Sequence, residues 1–155
     1  MTERLGDRSV HELLAAHRDN VRELADRNGG RMVKSQGDGF MLAFSGVARA
    51  LRCSAQIQQS LRPGSEQHPE DAVHVHIGIH TGEALMEGQD YVGHTVIVAC
   101  RLAEAAAPDE VLVSAVSQQL VSRNEEFTFR PAREVPLKGL RDVELAAPFE
   151  WASKG

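Results

Sequence analysis

The chain predicts an α/β sandwich on a mixed, mostly antiparallel sheet, and three observations carry that reading. Helix-like and strand-like segments are interspersed along its length. A Gly37-Asp38-Gly39 turn separates two apolar runs in "VKSQGDGFMLAF" (33–44), a short-range hairpin signal. The stretch "AVHVHIGIHTGE" (72–83) alternates apolar and polar residues with a period of two.

The elements follow in order. "SVHELLAAHRDNVRELADRNGG" places Val10, Leu13, Leu14, His17, Val21 and Leu24 at helical intervals, with Ser9 as N-cap and Gly29 and Gly30 closing the C-terminus. "RMVKSQ" and "FMLAF" are the strands on either side of the Gly-Asp-Gly turn. "GVARALRCSAQIQQSL" is a second amphipathic helix, stopped by Pro63 and Gly64, and "RPGSEQHPEDA" (62–72) is a surface loop. In the strand that follows, Val73, Val75, Ile77 and Ile79 face one way, and His74, His76, Gly78 and His80 the other. A third helix runs from Thr95 to Ala107 and ends before Pro108. "EVLVS" (110–114) reads as a strand and "AVSQQLV" as a short helix. "FTF", "REVPL" and "LAAPFEW" read as late strands.

Size and composition narrow the function classes. The 155 residues make a single domain, 1–155, large enough to bury about two thirds of its surface. At 42% hydrophobic and 25% charged, the composition is that of a soluble globular protein. Lys and Arg number 17 against 22 Asp and Glu, a net charge of −5. No basic patch stands out, which argues against nucleic acid or an anionic membrane as partner. No apolar run of about eighteen residues offers a membrane span, and the opening "MTERLGDRSV" is too polar for a signal peptide. Cys53 and Cys100 fall in helical segments and form no metal or redox motif, which fits a reducing, cytoplasmic setting.

Several stretches carry chemistry. Glycines on both sides of Asp38 free the backbone and leave a carboxylate at the tip of the hairpin, suited to a hard cation such as Mg²⁺ or to nothing beyond a turn. In "GQDYVGHTVIVACRL" (88–102), Asp90 lies in the loop before the third helix, Gly93 opens that helix, and Ile97 and Arg101 share a face. An arginine among Val96, Val98, Ala99 and Leu102 calls for an anion, whether an ion-pair partner or a phosphate. "VPLKGL" (135–140) sets Lys138 beside Gly139 after an apolar strand. His74, His76 and His80 are a poor zinc set, since residues two apart on a strand stand about 7 Å from each other. Neither G-x-x-x-x-G-K-[ST] nor G-x-G-x-x-G occurs, and there is no nucleophile elbow.

The order of these pieces is more specific than any one of them. "VKSQGDGFMLAF", "HIGIHTGEA", "DYVGHTVIVACRLAEAAAPDEVLVS" and "VPLKGL", in that sequence, resemble the catalytic domain of class III nucleotidyl cyclases, closest to the bacterial cytosolic members. The resemblance runs from about Thr2 to the last strand. It implies a ferredoxin-like α/β sandwich with helices on one face of the sheet, and a head-to-tail homodimer with active sites at the subunit interface. It also implies conversion of ATP, or in some members GTP, to the 3′,5′-cyclic monophosphate and pyrophosphate, assisted by two Mg²⁺ or Mn²⁺ ions. By the same resemblance Asp38 is the second of two metal-binding aspartates, and Lys34 and Asp90 are the pair that recognises adenine. Arg101 stabilises the pentavalent phosphorus, and Lys138 contacts the triphosphate. Asp38 would serve one active site of the dimer, with Lys34, Asp90 and Arg101 of the same chain serving the other. The Lys/Asp pair makes ATP the expected substrate over GTP.

The chain departs from the family pattern at two points. The family's first metal aspartate sits on an opening strand, F-x-D-I-x-G-[ST]-T, before the first helix, and no such stretch occurs here. The incomplete N-terminus predicts a central slot covered by rearrangement, strand exchange or close oligomerisation. Ile97 stands where the family has an asparagine one turn before the arginine, and cannot hydrogen-bond to ribose or phosphate. Two readings therefore stand side by side: an adenylate cyclase domain, or an inactive cyclase-like module that binds nucleotide or pairs with another domain.

Overall fold

The computed structural model describes residues 2–36, 39–67, 73–88, 90–137 and 143–152. Helix α1 (Thr2–Arg27) is followed by the hairpin strands β1 (Arg31–Gln36) and β2 (Gly39–Ala43). Helix α2 (Val47–Gln67), strand β3 (Ile77–Ile79) and the ribbon strands β4 (Leu85–Glu87) and β5 (Asp90–Val92) come next. Helix α3 (His94–Ala105), strand β6 (Val111–Ser114), helix α4 (Ala115–Leu120) and strands β7 (Arg133–Pro136) and β8 (Val143–Pro148) complete the fold.

Three sheets share this frame. The main sheet has the order β3-β6-β8-β7, with β3 and β6 parallel and the other neighbours antiparallel. The hairpin β1-β2 and the ribbon β4-β5 are separate antiparallel pairs. The expected mixed, mostly antiparallel α/β architecture is what forms.

The predicted alternation in 72–83 sorts the two faces. Val75 and Ile77 pack with Val21, Leu24 and Ala25 of α1 and Cys53 and Ile57 of α2, and Ile79 joins Val47 and Leu51 of α2. The polar face turns to α3: His76 Nδ1 bonds the Ala103 carbonyl, and Gly78 lies against the α3 backbone. Strand β6 follows the same rule. Val111 and Val113 face α2, Leu112 faces Val98 and Leu102 of α3, and all four of its residues are buried. Helices therefore cover both faces of the main sheet, a correction to the single helical face expected. The cause is the absence of a side chain at Gly78, which gives α3 its own bed opposite α2.

Local signals explain the remaining elements and their corrections. Helix α1 ends in a glycine cap: Gly29 sits at φ 76°, its N–H bonds Asp26 at 3.1 Å, and the Gly30 N–H reaches back to Ala25 at 2.8 Å. Its start lies at Thr2, so Ser9 is inside the helix and not its N-cap. Glu3, Arg4, Leu5 and Arg8 are good helix formers and extend it past that serine. Helix α2 runs through Pro63 to Gln67, so Pro63 and Gly64 do not stop it, and only 68–72 of the expected loop lie outside the described residues. One lost backbone bond near the end of a 21-residue helix is survivable because its earlier turns are anchored in the core. The strand expected over 72–83 pairs only at Ile77–Ile79, and "FTF" contributes one bridge, Phe129 to Phe149. Both cysteines are free. Cys53 is buried, which pushes its thiol up to about 11 and leaves it inert. Among the described residues no helix is long and apolar enough to cross a membrane.

Two predictions follow from the packing. A Cβ at residue 78 would come within 3.0 Å of backbone atoms of Ala99, Leu102 and Ala103, which cannot swing aside. Gly78→Ala should cost about 1–3 kcal/mol, read as a lower urea midpoint, because α3 must lift off β3. His17 and His80 are both held below their ordinary value of 6.5, in each case chiefly by desolvation. Their folded values lie below the unfolded ones, so the stability they contribute is present above pH 6.5 and is lost as pH falls through the native values. His17→Leu should flatten the decline in Tm between pH 7 and 5, and an unchanged slope would count against this assignment.

Candidate active site

The side chains singled out by sequence come from four places. Lys34 projects from β1, Asp90 opens β5, and Ile97 and Arg101 lie on α3. Asp38 and Lys138 fall outside the described residues. Asp90 belongs to a strand and not to the loop expected. The ribbon was missed because its strands are only three residues long, although Leu85-Met86 and Tyr91-Val92 flanking a turn at Gly88 were available as a signal.

The structure joins Lys34 to Asp90 across 56 residues of sequence: Lys34 Nζ donates to Asp90 Oδ2 at 3.1 Å. The other carboxylate oxygen, Oδ1, accepts the Tyr91 N–H at 2.8 Å. Asp90 titrates below its ordinary value, chiefly because of the Lys34 bond; desolvation opposes this, and the Tyr91 N–H and the Lys34 charge add to the lowering. The two side chains are 46% and 39% exposed, so the pair is weak and open to exchange with a ligand. A donor and an acceptor side by side match the paired acceptor and donor on a nucleobase edge.

Beside this pair Arg31 stacks on the Tyr91 ring, its guanidinium carbon 5.3 Å from the centroid. A cavity of about 280 Å³ opens there between the Gly29–Gly30 turn, Phe44, Ser45 and Tyr91. Sequence reading passed over Arg31 and Tyr91, since neither carries a motif by itself.

Arg101 is not brought to the Lys34–Asp90 pair. Its Nη1 donates to both Glu104 oxygens, at 3.0 and 3.2 Å, and its Nε is buried with no hydrogen-bond partner among the described residues. The apolar side of α3 (Val98, Leu102) is in the core, which leaves Arg101 partly exposed and Ile97 42% exposed one turn before it. Near the start of α3, Thr95 Oγ1 donates to the Glu83 carbonyl and ties the segment after β3 to the helix.

The three histidines engage three different partners. His74 Nδ1 meets the Asp109 carboxylate at 3.0 Å, His76 the Ala103 carbonyl, and His80 Nδ1 the Ser114 hydroxyl at 2.8 Å. Ser114 continues to Ser117 at 2.9 Å and Ser117 to Thr81 at 2.7 Å, a partly buried polar chain linking the segment just after β3 to β6 and α4. Among the described residues no group of three or more His, Cys, Asp or Glu could hold a metal ion.

With this geometry in place, the comparisons are direct. The sequence profile of the adenylate and guanylate cyclase catalytic domain matches residues 2–146. A Rhizobium meliloti protein named as a candidate adenylate cyclase is 31% identical over 151 residues, covering 96% of this chain and 25% of its own length. The chain thus spans about a quarter of that relative. A crystal structure of an adenylate/guanylate cyclase/hydrolase from Silicibacter pomeroyi superposes with a TM-score of 0.83 at 26% identity, covering 94% of this chain and 88% of the other. An adenylate cyclase structure from Trypanosoma brucei, at 20% identity, shares the fold with a TM-score of 0.79 over 94% of this chain and 81% of the other.

The Lys34–Asp90 bond gives a measurable expectation. In Lys34→Ala the Asp90 carboxyl should titrate closer to an ordinary aspartate, followed by ¹³C NMR of its side-chain carbon. A midpoint that stays where it is in the unmodified chain would show that the bond does not form in solution.

Proposed function

The chain belongs to the adenylate and guanylate cyclase catalytic domain family, and from that premise we propose that it reads ATP and converts it to 3′,5′-cyclic AMP and pyrophosphate in a dimer. The observation that carries this reading is the Lys34–Asp90 pair. Lysine can donate to adenine N1 while aspartate accepts from the 6-amino group. Guanine reverses both roles, with a donor at position 1 and an acceptor at position 6, so a fixed order of the pair favours ATP.

The reaction requires the ribose 3′-hydroxyl to lose its proton and its oxygen to bond the α-phosphorus, as the bond to the β-phosphate breaks and pyrophosphate leaves. Negative charge gathers on the α-phosphoryl oxygens, and a guanidinium aimed at them lowers the barrier. Arg101 is suited to that role: its charge is already partly desolvated, and exchanging Glu104 for phosphate would satisfy its orphaned Nε. Lys138 would neutralise the triphosphate. The family generally uses divalent cations, which supply charge neutralisation and polarise the phosphate. Asp38 would hold such a cation together with the nucleotide's own phosphates.

A dimer is supported by apolar surface on the ribbon and α3: Leu85 is 70% exposed, Met86 55% and Ile97 42%. Leu85 and Met86 lie on the same ribbon as Asp90, and exposed apolar residues of this kind suit an interface.

One observation favours a second reading. Ile97, exposed one turn before Arg101, offers no hydrogen bond where the family has an asparagine. A domain with that residue could bind ATP, or pair with an active partner, without turnover.

A cyclase assay with Mn²⁺–ATP, on this chain and on one extended upstream, separates the readings. Cyclic AMP formed with a specific activity that rises with chain concentration, and an Arg101→Ala variant at least about 100-fold slower, is the expected result. ATP binding by calorimetry with no product in either chain supports the second reading. The base assignment fails if Lys34→Ala leaves ATP affinity unchanged.

A further inference from the structure

Among the described residues two side-chain contacts tie the β4–β5 ribbon to β1, one of them the Lys34–Asp90 pair. The other is Arg31 on Tyr91, at a distance typical of a cation over an aromatic face. Arg31 and Lys34 are three residues apart, which on a regular strand would put them on opposite sides. The β1–β2 register slips between them: Met32 faces Leu42 and Lys34 faces Met41, so Val33 is an extra residue on β1. This bulge brings Arg31 and Lys34 to one face, while Met32 turns inward to the core between α1 and α2.

Tyr91 follows Asp90 directly, and its N–H already holds one oxygen of that carboxylate. The ring borders the open cavity on one side, and the Arg31 guanidinium covers one of its faces. Among the described residues no backbone ladder joins the ribbon to either other sheet, and a two-stranded ribbon has little stability by itself. Its placement depends on side chains. Among the described residues no carboxylate pairs with Arg31, so its cation is committed to the ring.

We propose that Arg31 is a positioning residue for base recognition: by capping Tyr91 it holds β5, and with it the Asp90 carboxylate, in place opposite Lys34. This rests on the assignment of Lys34 and Asp90 to the nucleobase. A cation on the Tyr91 face is the requirement, so lysine should substitute in part and glutamine should not.

The test uses Arg31→Gln and Arg31→Lys, with the fold of each verified by circular dichroism. In the free chain, Arg31→Gln should move the Asp90 carboxyl midpoint toward that of Lys34→Ala, read by ¹³C NMR, with Arg31→Lys staying near the unmodified chain. By calorimetry, the preference for ATP over ITP, which carries guanine's hydrogen-bonding order at positions 1 and 6, should fall about threefold in Arg31→Gln. An Asp90 titration unaltered in Arg31→Gln overturns the proposal. A shifted titration with an intact ATP/ITP preference overturns its link to recognition. If Asp90 shifts but the unmodified chain binds no nucleotide, the positioning role stands and the base assignment of Lys34 and Asp90 is what fails.

Discussion

The helix that carries Ile97 and Arg101 is set by one close approach, that of α3 to β3 at Gly78. With no Cβ there, the helix backbone rests on the strand itself. Val98 and Leu102 then enter the core beneath α3, so Ile97 and Arg101 must face away from it. The Thr95 bond to the Glu83 carbonyl fixes where the chain leaves β3, and the ribbon that carries Asp90 emerges between those two points. A helix of 12 residues has little stability of its own. This one is placed by the sheet, and it in turn places the chemistry.

Two charged pairs of the candidate site lie among the described residues. Lys34 is paired with Asp90 and Arg101 with Glu104, each at a partly exposed position. A nucleotide would replace those contacts like for like, its base edge for the first pair and its phosphate for Glu104. Exchange of this kind leaves no buried charge unpaired, the outcome that would be most costly. It also explains why both pairs can be weak in the free chain. Their geometry matters more than their strength, since a ligand inherits the arrangement and not the bond.

How far the sequence could be read depended on whether the deciding interaction was local. The two faces of 72–83 were legible because alternation is a property of neighbouring residues, and Ile77 and Gly78 kept their assigned sides. The glycine cap of α1 and the span of α3 were legible for the same reason. Pro63 misled because tertiary anchoring of α2 outweighed a local breaker. The ribbon escaped notice because three-residue strands carry almost no periodicity, and with it went Tyr91 and Arg31. The pairing of Lys34 with Asp90 was reached only through resemblance, since nothing local links residues 56 apart. The fold brings the two side chains to 3.1 Å through tertiary packing that no local pattern encodes.

The division of the sheet bears on which half of the proposed chemistry is better supported. Among the described residues β2 pairs only with β1, and β3 only with β6. The hairpin carrying Lys34 is joined to the main sheet through the core it shares with α1 and α2, and through the side chains that meet the ribbon. That is enough to bring donor and acceptor together at 3.1 Å. Catalysis asks for more: a guanidinium released from Glu104, a polar group in place of Ile97, and carboxylates converging on a cation. Among the described residues, the Glu104 contact of Arg101 is separate from the contacts that hold the Lys34–Asp90 pair. Under the proposed function, base reading would draw on the hairpin and the ribbon and phosphate stabilisation on α3, so a change in α3 such as Ile97 would bear on turnover more directly than on recognition.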